Sequence, residues 1–256
     1  VQKTDLKKLT AYSTVSHLGW IVATIGVGTP FAIAAALVHT LAHALFKSSL
    51  FMLIGVIDHE AGSRDIRRLG PLWNKMPWTF GSVIIGAASM AAVPPLLGFV
   101  SKEGMLTAFE DAPIGGAGQV ILLIVAGLGA FFTFTYSAKI VFGAFFDGPR
   151  DMGHVHEAPV SLWLPAALPG FMSLPLVFVL GLFDEPVDRA VAAVGMNHHS
   201  HLALWHGFTI PFAISLVVLI AGIGGIFARK KMWASFEDTK FMPRSGNELL
   251  HSLQVG

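Results

Sequence analysis

Long apolar runs, separated by short polar, glycine-rich or proline-rich stretches, dominate the pattern of hydrophobic and polar positions along the chain. A helix needs about 18–20 apolar residues to cross the hydrocarbon core of a membrane, and most of these runs reach or exceed that length. We therefore predict an all-α fold, a polytopic bundle of transmembrane helices with six full crossings. The six runs cover residues 11–28, 31–57, 78–93, 119–146, 161–183 and 203–228.

One mixed segment interrupts this pattern. Residues 96–112 carry polar side chains between apolar flanks, directly after Pro94 and Pro95. Proline lacks a backbone donor and disfavours helical conformation in the preceding residue, so two in series predict a break in the helix between Pro94 and Glu103. We expect 96–112 to form a short re-entrant or broken element.

Composition supports a membrane protein and argues against other classes. Hydrophobic residues make up 54% of the 256 and charged residues 13%, whereas soluble domains carry about 25% charged residues. The net charge of +1, without a basic patch among aromatic residues, gives no indication of nucleic-acid binding. The absence of Cys excludes disulfides and thiolate sites. The chain begins Val1-Gln2-Lys3 without a Met or a signal-like region, so we expect an internal piece of a longer polypeptide.

Basic residues concentrate in three places: before the first apolar run, at 58–77 and at 229–244. Cytoplasmic loops of membrane proteins carry an excess of Lys and Arg, so we predict that all three regions lie on one side of the membrane. That placement requires an even number of crossings. The polar tail, 229–256, is predicted to be an interfacial or connecting segment.

Three ionisable residues, His39, His43 and Lys47, stand at a spacing of four inside the apolar run 31–57. On a helix they lie on one stripe about 12 Å long. A charge at the bilayer centre costs from about 3 to more than 10 kcal/mol, so such groups face a protein interior or a hydrated cavity. Histidine titrates near neutral pH, and such a row can pass protons where water fills the gaps. Packing residues, a snorkelling lysine and a two-histidine metal site without an acidic third ligand are the alternatives.

Three further residues are candidates for the same chemistry. Lys102 follows the proline break in a segment that is apolar on both sides, where broken membrane helices line cavities; a surface loop is the alternative. Lys139 lies inside the run 119–146, near enough to its end for snorkelling to compete. His17, beside three hydroxyl residues, is a weaker candidate. The remaining grouped histidines are interpreted as solvated loop residues: His154, His156, His198, His199 and His201.

Three motifs carry a resemblance to a known family. "TDLKKLTAYSTVSHLG" (4–19), "HTLAHALFKSSLFMLIG" (39–55) and "PPLLGFVSKEGML" (94–106) occur in this order. They resemble successive motifs of the antiporter-like family, which comprises large proton-pumping membrane subunits of respiratory complex I and large subunits of Mrp-type multisubunit Na+/H+ antiporters. Within the family, "IDHEAGSRDIRRLG" (57–70) is more similar to the large Mrp antiporter subunit designated A.

The resemblance implies a fold of two inverted five-helix repeats, each with a broken helix that bears a Lys or Glu at mid-membrane. His39, His43 and Lys47 would belong to the central hydrophilic axis of the second repeat. Lys102 would lie on its broken helix, and Lys139 falls where relatives often carry a basic residue. The first repeat, and the long C-terminal extension that Mrp proteins of this type possess, would lie outside this chain.

The function implied by the resemblance is that of a membrane subunit in a monovalent cation (Na+)/proton antiporter of the bacterial cell membrane, with no conventional enzyme activity, cofactor or metal. Its expected partners are other membrane subunits, H+, Na+ or another monovalent cation, and the lipid bilayer. A proton-translocating subunit of an NADH–quinone oxidoreductase or a related complex is the alternative. A non-transporting scaffold and a membrane metalloenzyme are hypotheses from other classes. We divide the chain into the second repeat (1–146), two further transmembrane helices (147–228) and the polar segment (229–256).

Overall fold

The computed structural model describes residues 3–148, 152–197, 199–204 and 207–238. Helices dominate these residues, with no β-strand among them, so the predicted all-α fold is confirmed. A 3₁₀ turn at Leu180–Phe183 accompanies the α-helices. These are α1 (Leu6–Gly26), α2 (Pro30–Ala61), α3 (Pro77–Met90), α4 (Leu97–Glu110), α5 (Gly116–Phe145), α6 (Val160–Met172), α7 (Pro175–Phe178), α8 (Asp184–Ala193), α9 (Ile210–Phe227) and α10 (Arg229–Asp238).

The longest helix, α2, has clear local start and stop signals. Thr29 accepts a hydrogen bond at its hydroxyl from Ala32 N (3.2 Å), and Pro30 occupies the first turn, where its missing N–H costs nothing. Gly62, at φ 65°, ends the helix in the left-handed conformation that glycine adopts without strain. The 32 residues between these signals make a helix about 48 Å long, longer than the hydrocarbon core.

The bundle is built around α2, which packs against α1, α3, α4, α6 and α8. One stripe of this helix is fully buried through Phe46, Leu50, Leu53 and Ile57, at the spacing of three and four that places side chains on one face. Apolar burial therefore fixes the rotation of α2, and it also turns His39 and His43, which lie on the same side of the helix, into the bundle.

The three basic regions meet at one end of the bundle, as their distribution in the sequence predicts. The first precedes α1, the second connects α2 to α3, and the third follows α9. We call this end the basic end. The contacts that tie it together are Arg64 Nε to Asp5 Oδ2 at 2.9 Å, Trp73 N to Phe145 O at 3.4 Å and Arg229 Nε to Asp147 Oδ2 at 2.8 Å.

The predicted break before Lys102 is confirmed, since the helix is interrupted between Met90 of α3 and Leu97 of α4. The backbone N–H groups that lose their helical partners at the break donate instead to two serine hydroxyls and one serine carbonyl. Leu97 N donates to Ser173 at the end of α6, to Oγ at 3.0 Å and to O at 3.2 Å. Gly98 N donates to Ser89 Oγ (3.3 Å), and the two serine hydroxyls are 2.8 Å apart.

The six predicted runs do not each form one uninterrupted span. Among the described residues, four stretches are long and apolar enough to span a membrane: 30–61, 116–145, 160–178 and 210–227. The run at 78–93 is wrong as a full crossing, because α3 has only 14 residues, about 21 Å. It is the first half of a broken crossing that α4 continues away from the basic end. Helix α1 has 21 residues but carries several hydroxyl and charged side chains.

The segment between the apolar runs 161–183 and 203–228 contains helix α8. Val187 and Val191 pack against α2, while Asp184 and Asp188 face the segment that follows the helix. Asp184 accepts from Leu202 N at 3.0 Å. The histidines interpreted as loop residues are exposed at His154, His156, His199 and His201. His198 and residues 239–256 of the polar tail lie outside the described residues.

The break makes a testable prediction at Gly98. A Cβ atom there would lie 1.8 Å from the carbonyl oxygen of Ser89, which is backbone and has no room to shift. We expect Gly98→Ala to destabilise the assembled protein by about 3 kcal/mol. At Gly104, further along α4, a Cβ meets only Ala35 Cβ at 3.6 Å. Gly104→Ala should therefore leave the melting temperature unchanged or raise it slightly. Equal thermal melts of the two variants would contradict this account.

Candidate functional site

The stripe predicted on α2 points into the bundle. His39 and Lys47 are buried, at 1% and 5% exposure, and His43 between them is half-buried. His39 contacts both α1 and α4, and His43 and Lys47 contact α1. The rings of His39 and His43 also lie against Phe46 of the apolar stripe. A lysine that snorkels to the headgroups would have an exposed tip, so this interpretation of Lys47 is wrong.

Polar groups of α1 accept hydrogen bonds from the Lys47 ammonium. Its ammonium donates to the carbonyl oxygen of Thr10 at 3.1 Å and also to the hydroxyl of Ser13. Ser13 in turn donates to Thr10 O at 2.7 Å. Two acceptors from one helical turn thus replace part of the water shell that the ammonium loses on burial.

His17 has a more central place than the sequence indicates. Its Nδ1 lies 3.0 Å from His39 Nε2, and the two rings stack with centroids 5.3 Å apart. The ring of His43 lies 5.5 Å from His17 on the other side. One signal could have revealed this position: Thr10, Ser13 and His17 follow the i, i+3, i+7 spacing of a helix face.

Helix α4 supplies the next polar contact beyond His39. His39 Nδ1 lies 3.0 Å from the hydroxyl of Ser101, and that hydroxyl donates to Gly98 O at 3.2 Å. A hydroxyl has a single hydrogen, so when it is given to Gly98 the Ser101 oxygen can only accept from His39 Nδ1–H. His39 Nε2 is then an acceptor, and His17 Nδ1 must carry a hydrogen. We assign both rings as Nδ1–H tautomers from this network.

Lys102 follows Ser101 on α4 and is buried at 3% exposure. The alternative of a surface loop is therefore wrong. Its ammonium lies 5.5 Å from the ring centroid of Trp20, within the range of a cation–π contact. Lys102 Nζ has no hydrogen-bond partner among the described residues. We use the name His/Lys row for the following set: Lys47, His43, His17, His39, Ser101 and Lys102.

Several buried polar atoms along the row can bind water. His17 Nε2, His43 Nε2 and Lys102 Nζ have no hydrogen-bond partner among the residues described. Burying such atoms is costly unless they are hydrogen-bonded, and bridging water is nearly as good as a direct partner. In the part of the chain that the structure describes, no three His, Cys, Asp or Glu side chains converge to hold a metal ion.

Lys139 lies apart from the row, on α5. It is fully buried, so the snorkelling interpretation does not hold for it either. Its ammonium is 5.8 Å from the ring centroid of Trp233 in α10. One turn earlier, the hydroxyl of Tyr136 donates to Thr133 Oγ1 at 3.1 Å and also interacts with Ser16, the neighbour of His17 on α1. Hydroxyl groups thus lie between Lys139 and the row.

The fold and the site together define a helical membrane bundle with an interrupted helix and a buried His/Lys row. Residues 1–133, just over half of the chain, match the family described as NADH:quinone oxidoreductase/Mrp antiporter, transmembrane. The chain belongs to this family, and the resemblance of its three motifs is confirmed.

Curated relatives agree with this assignment. The chain is 39% identical over 240 residues to the A/B subunit of a probable K(+)/H(+) antiporter of Rhizobium meliloti, covering 90% of the chain and 24% of that protein. It is 37% identical over 268 residues to the A-type subunit of a Na(+)/H(+) antiporter of Alkalihalophilus pseudofirmus, covering 91% and 33%. The chain therefore spans between a quarter and a third of these relatives.

Solved structures show the same relationship. The fold matches a chain of the Mrp complex from a Dietzia species with a TM-score of 0.84 and 41% identity, over 99% of this chain and 28% of that one. It also matches a chain of the membrane-bound sulfane sulfur reductase, an archaeal respiratory membrane complex, with a TM-score of 0.61 and 20% identity, over 99% and 51%. The second likeness shows the fold alone.

The tautomer assignment is testable by nitrogen NMR of histidine-labelled complex. We expect His17 and His39 to show protonated Nδ1 and unprotonated Nε2, because the Ser101 hydroxyl is committed to Gly98 O. Ser101→Ala should release the His39 ring and change its ring-nitrogen shifts. Ser48→Ala, which removes an exposed hydroxyl bonded to its own helix, is the control. Protonated Nε2 on both rings in the wild type would refute the assignment.

Proposed function

We propose that this chain is part of a membrane subunit of a multisubunit monovalent cation/proton antiporter, and that the His/Lys row conducts its protons. The single observation that carries the proposal is the row itself: hydrogen bonds and ring contacts join His43, His17, His39 and Ser101, with the ammonium groups of Lys47 and Lys102 at the two ends. The antiporter proteins among the relatives support the same activity.

The assigned tautomers give the row a defined order of proton transfer. A proton that leaves Lys47 reaches the free Nε2 of His17 through water beside His43. His17 then passes its Nδ1 hydrogen to His39 Nε2. His39 passes its own Nδ1 hydrogen to Ser101, and Ser101 delivers a proton towards Lys102. The transfers from His17 to His39 and from His39 to Ser101 follow hydrogen bonds of the structure. Water carries the proton at both ends of the row, and the Ser101 hydroxyl turns from Gly98 O towards Lys102 to release its hydrogen.

Repulsion between the two lysines couples the ends of the row. Like charges about 10–15 Å apart repel by roughly 1–2 kcal/mol at an effective dielectric constant near 20. A proton that arrives at Lys47 therefore weakens proton binding at Lys102, and the reverse holds equally. The Lys102 ammonium, which donates to no acceptor among the described residues, can release its proton away from the row.

The relatives support the remaining features of the proposal. The chain acts with other membrane subunits of one complex in the bacterial cell membrane, as a transporter and not as an enzyme. The cation is Na+ or another monovalent ion: the Alkalihalophilus relative is named for Na+ and the Rhizobium relative for K+. Lys139 supplies a further proton-binding group beside the row.

A second candidate function is a proton-translocating subunit of an NADH–quinone oxidoreductase or a related energy-converting complex. The observation that favours it is the family description, which names both classes. Vesicles distinguish the two: an antiporter exchanges protons for an imposed Na+ or K+ gradient without an electron donor. A complex I-type protein moves protons only when an electron donor is oxidised.

The row makes its sharpest prediction at Lys47. In the complete antiporter, Lys47→Ala should abolish or strongly reduce cation-dependent proton exchange in vesicles, because it removes the group that feeds the row. His43→Ala should be milder, since water can replace a half-buried imidazole. Lys7→Ala, at an exposed lysine of the basic end, is the control. Wild-type exchange rates in an intact Lys47→Ala complex would rule out the relay.

Lys102 is tested by inverting its charge. Lys102→Glu keeps the site ionisable, so it should change the pH dependence of exchange more than the maximal rate. Lys102→Gln, of similar size but without a titratable group, should lower the maximal rate instead. Identical pH profiles for the wild type and Lys102→Glu would show that Lys102 takes no part in proton transfer.

A further inference from the structure

Lys139 is buried although it lies near the basic end of the bundle. Helix α5 ends at Phe145, six residues beyond Lys139, which is about 9 Å along the helix axis. The loop that follows contains Asp147, whose carboxylate pairs with Arg229. Water at the basic end is thus within one or two turns of the ammonium, yet Lys139 has 0% exposure. Some other part of the chain must cover it.

The ring of Trp233 in α10 lies over the Lys139 ammonium. Its indole ring centroid lies 5.8 Å from Lys139 Nζ, and the side chain is 7% exposed. A large flat ring over an ammonium both attracts the cation and excludes water from it. Among the described residues, the indole N–H of Trp233 has no acceptor. The covering position therefore leaves a donor unsatisfied that would be satisfied in water, which favours a cover that can open.

The position of the ring is set one turn earlier, at the start of α10. Arg229 donates to both carboxylate oxygens of Asp147, from Nε at 2.8 Å and from Nη2 at 2.9 Å. Its Cζ also lies 4.5 Å from the ring centroid of Phe142. This paired geometry is the strong, directional form of an ion pair.

The two helices are matched in spacing. Arg229 and Trp233 are four residues apart on α10, and Phe142 and Lys139 are three apart on α5. Residues at these separations lie on one face of a helix. Arg229 contacts Phe142 while Trp233 contacts Lys139, so α10 runs back along α5 in the opposite direction. The ion pair between Arg229 and Asp147 therefore holds α10 in the position that places Trp233 against Lys139.

We propose that Trp233 controls the access of water at the basic end to Lys139, with the Arg229–Asp147 ion pair as its fixed anchor. The proposal rests on the proposed function only in giving Lys139 a role in proton transfer. In the closed position, the indole separates Lys139 from bulk water. When the indole swings outwards on the anchored helix, Lys139 can exchange a proton with the aqueous phase. Trp233 is a positioning residue that acts through Lys139.

Thiol labelling tests the cover without reference to transport. The chain contains no Cys, so Lys139→Cys can be introduced as a reporter in the complete complex, with cysteines of other subunits replaced. A membrane-impermeant methanethiosulfonate is added from the basic end, and its rate of reaction is measured. We expect slow labelling with Trp233 in place and labelling at least about tenfold faster with Trp233→Ala, because thiol reactivity follows exposure.

Matched variants separate covering from folding. Trp233→Phe keeps a flat ring and should restore slow labelling, and Trp73→Ala removes a half-exposed tryptophan of the same end without effect. Arg229→Gln should accelerate labelling by loosening the anchor. Fast labelling with Trp233 present, or equal rates with and without it, would overturn the proposal. Faster labelling in Trp233→Ala together with normal exchange in Lys47→Ala would retain the cover and refute the proton relay.

Discussion

The cost of burying cationic groups inside a membrane bundle is the constraint on which the rest of this structure depends. A lysine at the bilayer centre costs at least about 3 kcal/mol unless the protein replaces its hydration. Here the replacement comes from neighbouring helices: Thr10 and Ser13 accept from Lys47, and the ring of Trp20 faces Lys102. Because the helices around α2 supply the partners of the row, the helix that bears most of the row has to be enclosed by them. The central place of α2 follows.

The interrupted helix serves the same requirement. A break at mid-bundle frees backbone groups, which are tolerated in a membrane only where other protein groups satisfy them. Ser89 and Ser173 do so here, and the close approach of Gly98 to Ser89 fixes where α4 begins. The start of α4 in turn sets the height at which Ser101 meets His39. Ser173, at the end of α6, thus helps to set the geometry of the His/Lys row without contacting it.

Sequence patterns predicted the features that depend on local chemistry. The spacing of His39, His43 and Lys47 defines one face of a helix whatever surrounds it, and consecutive prolines interrupt a helix anywhere. Features that depend on contacts between helices were missed. Nothing in a single helix reveals that His17 lies against His39, or that α10 turns back to place Trp233 on Lys139. The interpretation of 78–93 as a full crossing by itself failed for the same reason, since only the packing of α3 and α4 shows that two short runs share one crossing.

In the proposed relay, each proton transfer changes which ring nitrogen of His17 and His39 carries the hydrogen. After one proton has passed, each ring carries its hydrogen on Nε2, and the hydrogen bonds from His17 to Ser101 all point the other way. A second proton arriving from the same side finds the accepting nitrogen already occupied. The row must be reset, by ring rotation or by a proton passing in the opposite sense, before it can work again. The proposed relay would therefore admit one charge per cycle and would carry no continuous current without a reset.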